Sequence, residues 1–212
     1  MIKNLLFDLG GVIMDIRRQN CEEAFRQLGM ANPEQFLGDY CQSGPFEGIE
    51  NGSVSPDGFR RSIREIIGNP DLTDHQIDSA FQRFLIGIPR HRLEELRCLH
   101  GEYHIYMLSN TNPIMWNDVI ARNFRQEGHD VDYYFDGIVR SFEARSMKPD
   151  LGIFRTAIDR FHIRPEETLF LDDSRRNLEA AASLGFQTLL VEPGAEFMDR
   201  LREFPGFKTA CK

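Results

Sequence analysis

The chain begins with a short apolar segment, residues 2–7, which only two polar residues interrupt. A run of this length predicts a buried β-strand. The pattern ends at a carboxylate, Asp8, and Gly10 and Gly11 follow shortly after it. Open α/β sheets bind ligands at the carboxyl ends of strands, where glycines let a phosphate or metal ion approach the backbone. Because Asp near Gly also forms ordinary turns, this segment alone leaves both interpretations open.

The pattern then changes to helical spacing over residues 17–88. Ser55 precedes one predicted helix in the position of an N-cap. Thr73 precedes the next, and Gln76 three residues later completes the sequence of a capping box. The apolar positions of this second helix predict that it continues through Leu85.

From about residue 89 onwards, predicted strands and helices alternate. The predicted strands are residues 103–108, 134–139, 168–171 and 187–191, and the predicted helices are residues 90–100, 151–161 and 178–184. Alternation of this kind is typical of a parallel sheet. The pattern therefore predicts an α/β fold, with a doubly wound, Rossmann-like parallel-sheet core formed by residues 1–16 and 89–212. Residues 17–88 are predicted to form a small helical cap inserted after the first strand.

Polar residues follow several predicted strands: Asp8, Ser109-Asn110, Lys148 and Asp172-Asp173. In a parallel sheet these strand ends lie on one edge, so the side chains are expected to converge there. A carboxylate can attack phosphorus, Mg²⁺ binds carboxylates together with phosphate oxygens, and a lysine and a hydroxyl can hold the other oxygens. Each feature alone is also explained as a helix cap or an exposed loop. Their combination, in this order, favours phosphoryl transfer.

Composition narrows the function further. The formal net charge of −8 argues against binding to nucleic acid or to an anionic membrane surface. No apolar run approaches the roughly 20 residues of a membrane span. The four cysteines form no CxxC pair, and their scatter predicts reduced thiols in a cytoplasmic protein. The sequence does not decide between a monomer and a homodimer.

With these residues in place, the chain resembles the haloacid dehalogenase superfamily, whose members are mostly magnesium-dependent phosphatases. Four segments carry the resemblance: Phe7-Asp8-Leu9-Gly10-Gly11-Val12, Leu108-Ser109-Asn110-Thr111, Met147-Lys148-Pro149-Asp150 and Leu171-Asp172-Asp173-Ser174. The resemblance implies a phosphatase that forms an aspartyl-phosphate at Asp8. Ser109 and Lys148 then match the phosphate-binding hydroxyl and lysine.

The resemblance also implies ligands for Mg²⁺ and for the substrate. The implied metal ligands are Asp8, the backbone carbonyl of Gly10, Asp173 and, through water, Asp172. The implied substrate contacts are Gly10, Gly11, Asn110, Thr111, Glu47 and Glu50. A narrower resemblance, to bacterial glucose-1-phosphate phosphatases, rests on Asp-Leu-Gly, on Ser-Asn-Thr-Asn and on cap residues 46–52. It implies a small phosphorylated metabolite, such as a sugar phosphate, as the substrate.

One position departs from the family pattern. Gly10 stands where the family's phosphatases usually carry a second Asp as general acid and base. Either a cap carboxylate, Glu47 or Glu50, replaces it, or the rate depends on the acidity of the leaving alcohol, and the second of these is the favoured expectation. Because of Gly10, the alternative that the chain is a catalytically weak binding or regulatory protein also stays open. A hydrolytic dehalogenase is a further alternative, but it needs no magnesium, so the pair Asp172-Asp173 speaks against it.

Overall fold

The computed structural model describes residues 1–38 and 42–211. Its strands are β1 (Asn4–Phe7), β2 (Asp15–Ile16), β3 (Leu85–Gly87), β4 (His104–Ser109), β5 (Gly137–Arg140), β6 (Thr168–Asp172) and β7 (Gln187–Leu190). Five of them form a parallel sheet in the order β5-β4-β1-β6-β7. Strand β1 is central and pairs with β4 and β6, so the carboxyl ends of these three strands are neighbours. The predicted parallel α/β fold is confirmed.

Helices lie in the inserted segment, residues 17–88, and in the core segment that follows it. They are α1 (Arg18–Gln27), α2 (Pro45–Glu50), α3 (Pro56–Ile67), α4 (Asp74–Gln82), α5 (Arg90–His100), α6 (Pro113–Met115), α7 (Ala121–Phe124), α8 (Ser141–Ala144), α9 (Leu151–Phe161), α10 (Arg175–Ser183) and α11 (Phe197–Glu203). A π-helical turn, Trp116–Ile120, joins α6 to α7.

The sheet is buried on both faces because its side chains alternate between two apolar clusters. On β1, Leu5 and Phe7 belong to one cluster and Leu6 to the other, and all three are fully buried. Helices α5 and α11 contribute to the first cluster, and α9 and α10 contribute to the second. Near-continuous apolar strands are the expected sequence of a parallel sheet covered on both sides.

The inserted segment extends the first of these clusters with four fully buried phenylalanines that contact one another. They are Phe25, Phe46, Phe59 and Phe81, from α1, α2, α3 and α4 in turn. The two predicted N-caps are present: Ser55 accepts a hydrogen bond from the backbone of Gly58, and Thr73 forms the predicted capping box with Gln76. These caps fix where α3 and α4 begin.

The expectation that residues 17–88 are helical throughout is wrong at residues 85–87. Helix α4 ends at Gln82, and the following residues form β3, which pairs antiparallel with β2. The Phe84 carbonyl accepts a hydrogen bond of 2.8 Å from the Arg17 amide, a partner distant in sequence. Short apolar runs do not distinguish helix from strand, and the pairing with β2 decided this case.

The cysteine prediction is wrong for one pair. Cys98, in the last turn of α5, forms a disulfide with Cys211 across a sequence separation of 113 residues. Cys21 is a free, buried thiol, and Cys41 lies outside the described residues. Because spacing alone cannot show that the C-terminal segment returns to α5, the sequence could not predict the bond. The cytoplasmic location stays a prediction. No helix in the described parts of the chain is long and apolar enough to cross a membrane.

Candidate active site

A small pocket of about 90 Å³ lies at the carboxyl edge of the sheet, under the inserted helices. We call it the inner pocket. Its wall includes seven of the residues predicted from strand ends and motifs: Asp8, Gly10, Ser109, Asn110, Thr111, Lys148 and Asp173. The convergence expected from the parallel sheet is therefore present. A larger cleft of about 700 Å³, the outer cleft, shares Gln42 and Lys148 with the inner pocket.

Lys148 is the central cation of the site. Its Nζ lies 2.7 Å from Asp8 Oδ1 and 2.7 Å from Asp172 Oδ2, and its side chain is almost completely buried. Burial lowers the pKa of Lys148, but the two carboxylates outweigh it and raise that pKa above its ordinary value. The ammonium group is therefore charged at neutral pH.

Asn110 holds the backbone of Lys148 in place. Its side-chain Nδ2 donates to the Lys148 carbonyl at 2.9 Å, and its Oδ1 accepts from the Lys148 amide at 2.8 Å. The predicted substrate contact is thus already occupied with positioning the lysine. Asn110 follows β4 directly, so this pair of bonds ties the loop carrying Lys148 to the end of the sheet.

The two oxygens of Asp8 have different surroundings. Oδ1 accepts from Lys148 and, at 2.6 Å, from the Leu9 amide. Oδ2 has no hydrogen-bond partner within residues 1–38 and 42–211. Burial raises the pKa of Asp8. The positive charge of Lys148 lowers this pKa, and the charges of Asp172 and Asp173 raise it further. One oxygen is fixed, the other has no described partner, and Asp8 lines the inner pocket, which is the arrangement of an oriented nucleophile.

Asp172 and Asp173 are adjacent in sequence but differ in their bonds. Asp172 is fully buried; besides Lys148, it accepts bonds from the Ser174 amide at 2.8 Å and from Asn177 Nδ2 at 2.9 Å. Asp173 accepts no hydrogen bond from any other residue that the structure describes. Burial, with the Asp172 charge, raises the pKa of Asp173 to about 6. Asp172 is therefore a structural anchor, whereas the Asp173 carboxylate, which no other described side chain binds, is available to a ligand.

Gly11 allows Asp173 to approach the loop that follows β1. Its φ of +80° lies in the left-handed region, which favours glycine. A Cβ at this position would also overlap the carboxylate of Asp173. The predicted glycine is therefore required here by two independent constraints, and it brings the ends of β1 and β6 together.

The donor set fits a divalent cation. One oxygen from each of Asp8, Asp172 and Asp173 lies within 4.8 Å of the other two. The cluster combines three carboxyl groups with one ammonium group in a buried place, where an excess of negative charge is costly. Mg²⁺ prefers oxygen ligands of this kind. Asp8 and Asp173 have free oxygens for direct ligation, and the bonds of Asp172 leave it an indirect role.

Two cap carboxylates were predicted near the substrate, and the structure places them differently. Glu50 lies in the wall of the inner pocket and is only 9% exposed. Glu47 is exposed and lines the outer cleft. Burial, aided by the Glu47 charge, raises the pKa of Glu50 to about 8. Glu50 is therefore largely protonated at neutral pH.

Sequence reasoning missed several residues of the site. The inner pocket has an apolar wall of Ile16, Phe84, Leu85, Met115 and Ile120. Ser141 was also missed: its Oγ accepts from the Thr111 amide at 2.9 Å and donates to the Thr111 carbonyl at 3.0 Å, and so fixes the loop after β4. None of these positions carries a motif. Only the pairing of β2 with β3 brings Ile16 beside Leu85.

Comparisons with known proteins identify the family. A family model described as haloacid dehalogenase-like hydrolase matches residues 2–185. The chain belongs to this family of hydrolases. Within the family, a D-ribitol-5-phosphate phosphatase of Bacteroides thetaiotaomicron is 36% identical over 201 residues, covering 95% of this chain and 97% of that protein. The family resemblance is confirmed, and the narrower resemblance to glucose-1-phosphate phosphatases stays a prediction.

Solved structures of haloacid dehalogenase-like enzymes are similar over nearly the whole chain. A wild-type family enzyme of Bacteroides thetaiotaomicron, in complex with magnesium and inorganic phosphate, matches with a TM-score of 0.87 and 38% identity, covering 94% of this chain and 98% of that one. A family hydrolase of Porphyromonas gingivalis matches with a TM-score of 0.89 and 32% identity, covering 96% and 97%. The inserted helices and the core are therefore both part of the shared fold.

Proposed function

We propose that this protein is a Mg²⁺-dependent phosphatase that hydrolyses a small phosphorylated polyol or sugar through an aspartyl-phosphate at Asp8. The observation that carries the proposal is the Lys148 ammonium, which lies 2.7 Å from both Asp8 and Asp172 in the pocket that Asp173 also lines. A phosphate group and a divalent cation together complement this set of charges. The relative named as a D-ribitol-5-phosphate phosphatase and the related structure with magnesium and phosphate support the same chemistry.

The residues of the inner pocket divide the work of the reaction. Asp8 Oδ2 attacks phosphorus while Lys148 and the Leu9 amide hold Oδ1. Lys148 and the hydroxyl of Ser109 bind phosphoryl oxygens as charge spreads over them in the transition state. Asp8, the Gly10 carbonyl and Asp173 are the ligands we assign to Mg²⁺, which supplies further neutralisation of the phosphoryl charge. Water then attacks the aspartyl-phosphate and releases phosphate.

The outer cleft supports a hydroxyl-rich substrate. It opens from Lys148, and its wall includes several polar side chains, among them Gln42, Glu47, Asn51, Ser53 and Arg145. Amide, hydroxyl and charged groups recognise sugar or polyol hydroxyls through hydrogen bonds, whereas an apolar substrate would leave these groups unpaired. The phosphate would lie in the inner pocket and the carbon chain in the outer cleft.

The test is phosphate release from a panel of esters, measured with added Mg²⁺ and with EDTA. The panel contains ribitol 5-phosphate, ribose 5-phosphate, glucose 1-phosphate and glucose 6-phosphate. Wild type should be active only with Mg²⁺, and Asp8→Asn and Asp173→Asn should abolish turnover without unfolding the protein. Asp71→Asn, which changes an exposed carboxylate outside both clefts, is the matched control and should keep full activity.

Each other outcome identifies a competing function. Full activity in EDTA, or turnover by Asp8→Asn, would refute the proposal. Halide release from a 2-haloacid in place of phosphate release would make the protein a dehalogenase. Tight binding of a phosphorylated metabolite without turnover would favour the binding or regulatory protein that Gly10 keeps open.

A further inference from the structure

Glu50 occupies an unusual position on its helix. On α2 it lies four residues after Phe46 and one after Ile49, and both of these side chains are fully buried. Residues spaced by three or four share one helical face, so Glu50 is on the inward side of α2. Glu47 lies one residue after Phe46 and is exposed. The packing of Phe46 among three other phenylalanines therefore fixes which of the two carboxyl groups faces inward.

No structural role accounts for an acid at this place. The Glu50 carboxyl group forms no hydrogen bond or ion pair with any of residues 1–38 and 42–211. A buried carboxyl group without a partner is destabilising, and a methionine or leucine at the same position would avoid that cost. Buried titratable groups of this kind, in the wall of a cleft, are candidates for proton transfer.

The pocket lacks a proton donor at the position where the family usually has one. A Cβ built on Gly10 would lie 3.5 Å from Ile16 Cγ2, so that side of the pocket is apolar. Asp8, Asp172 and Asp173 are committed to Lys148 or to the cation described above. Among the described carboxyl groups in the wall of the inner pocket, this leaves Glu50 for acid–base chemistry.

We propose that Glu50 is the general acid and base of the reaction, taking the role that Gly10 cannot perform. In the first step Asp8 Oδ2 forms a bond to phosphorus, the bond from phosphorus to the ester oxygen breaks, and the Glu50 carboxyl group gives its proton to that oxygen. In the second step the Glu50 carboxylate takes a proton from water as its oxygen attacks phosphorus. The bond from phosphorus to Asp8 then breaks, and the carboxyl group of Glu50 is restored. The inference rests on the proposed phosphatase function.

The approach of the cap to the core supports this assignment. Gly52, just beyond α2, has a φ of +73°, and a Cβ there would overlap the carbonyl of Phe142 in α8 of the core. The loop after α2 therefore rests directly on core backbone, close to the loop that carries Lys148. The raised pKa of Glu50 keeps the proton on the group when the substrate binds.

The experiment measures how the rate of phosphoryl transfer to Asp8 depends on the pKa of the leaving alcohol, across alkyl and aryl phosphates. Wild type should show a shallow dependence. Glu50→Gln should show a steep one, with alkyl esters slowed about a hundredfold to ten-thousandfold and nitrophenyl phosphate slowed little. Glu47→Gln, in the outer cleft, is expected to change affinity for substrates but to keep the shallow dependence. Glu65→Gln, at an exposed cap carboxylate outside both clefts, is the matched control and should change neither.

A second readout follows from the base role. With nitrophenyl phosphate, Glu50→Gln should release a burst of nitrophenol equal to the enzyme concentration and then turn over slowly, because the attacking water has lost its base. Gly10 is not in the left-handed region and has room for a Cβ, so Gly10→Asp added to Glu50→Gln should restore the shallow dependence.

Three outcomes would overturn the inference while leaving the phosphatase assignment intact. They are a steep dependence already present in wild type, an unchanged dependence in Glu50→Gln, and a Glu50→Gln variant that loses affinity alone. Circular dichroism on each variant separates misfolding from lost chemistry. If Glu50→Gln misfolds, Glu50→Asp replaces it, and a slower enzyme with the shallow dependence of wild type is then expected. A wild type that releases no phosphate from any ester refutes the proposed function itself.

Discussion

Two buried carboxyl groups, one in the core and one in the cap, show opposite solutions to the same physical problem. Asp172, at the end of β6, is fully buried and accepts hydrogen bonds from Lys148, Ser174 and Asn177. Glu50, at the end of α2, is almost as buried and has no partner among the residues that the structure describes. The oxygens of Asp172 are occupied by these hydrogen bonds, whereas burial raises the pKa of Glu50 to about 8 and so holds that group neutral.

The difference in hydrogen bonding suits Asp172 to positioning other groups and Glu50 to proton transfer. A carboxylate whose lone pairs are occupied orders the groups around it, and removing a member of such a network leaves other charges unpaired. A neutral acid without partners orders nothing, but it has a proton to give. The core edge is therefore a preformed electrostatic frame. Among the described residues of the cap, Glu50 is the titratable group that lines the inner pocket at this edge. The following changes test this contrast, beginning with the largest expected effect.

Lys148→Met should have the largest effect on stability. It leaves Asp8 and Asp172 buried without their shared cation, and we expect the free energy of unfolding to fall by about 3 to 5 kcal/mol, with loss of activity. Urea denaturation followed by the fluorescence of the single, buried Trp116 measures this. Arg145→Met, at an exposed cation three residues earlier, is the control and should change stability by less than about 0.5 kcal/mol. A similarly small change in stability in both variants would show that Lys148 does not stabilise the buried carboxylates.

Glu50→Gln should raise the free energy of unfolding instead of lowering it, and the size of this effect should depend on pH. The folded state holds the Glu50 proton up to a pKa of about 8, whereas the unfolded chain releases it near 4.5. Wild-type stability from this group is thus complete below about pH 4.5 and is lost as pH rises to about 8. Glu50→Gln should gain on wild type by up to about 1.4 kcal/mol per pH unit across this window.

The measurement is the difference in unfolding free energy between wild type and Glu50→Gln at a series of pH values. Taking the difference cancels the titration of Asp8 and Asp173. The groups near Glu50 that could interfere are Glu47, whose charge contributes to the shift, and Cys21 on α1, whose own pKa is raised by burial. A constant difference across the window would mean that the Glu50 carboxyl group is not buried as described.

Asn110→Ala should have a smaller effect, because it changes only how firmly the backbone of Lys148 is held. It removes both hydrogen bonds to the Lys148 backbone, at a cost of about 2 kcal/mol in stability. Because the ammonium is then less well placed, we expect kcat to fall at least about tenfold, while the dependence on leaving-group pKa stays as in wild type. An unchanged kcat would show that Asp8 and Asp172 alone are sufficient to position the lysine.

Thr73→Ala should have the smallest effect. It removes the capping box at the start of α4 and should cost about 1 kcal/mol. Thr73 lies outside both clefts, so kcat and the leaving-group dependence should not change. A steeper dependence in Thr73→Ala would mean that general stability of the cap, rather than the inward face of α2, determines where Glu50 lies.

The strand-end residues show which features of the site can be predicted from local sequence patterns. An apolar run followed by a polar residue is a local pattern, and parallel pairing places all such ends on one edge, so the sequence pattern alone predicts that Asp8, Ser109 and Asp173 lie together. The caps at Ser55 and Thr73 are equally local, and both are present. The absence of the usual acid is also visible in the sequence, because Gly10 stands at the motif position where the family usually has an Asp.

The remaining features depend on contacts between segments distant in sequence. The disulfide of Cys98 with Cys211, the strand β3 and the Ser141 bonds to Thr111 have no local signature. The sequence offered Glu47 and Glu50 as equals and favoured a reaction without a general acid. Only the packing of Phe46 into the cap turns one of them inward, because a helix buries the face on which its apolar residues lie. Local patterns thus determined the chemistry at the strand ends, and tertiary packing decided which cap carboxyl group reaches it.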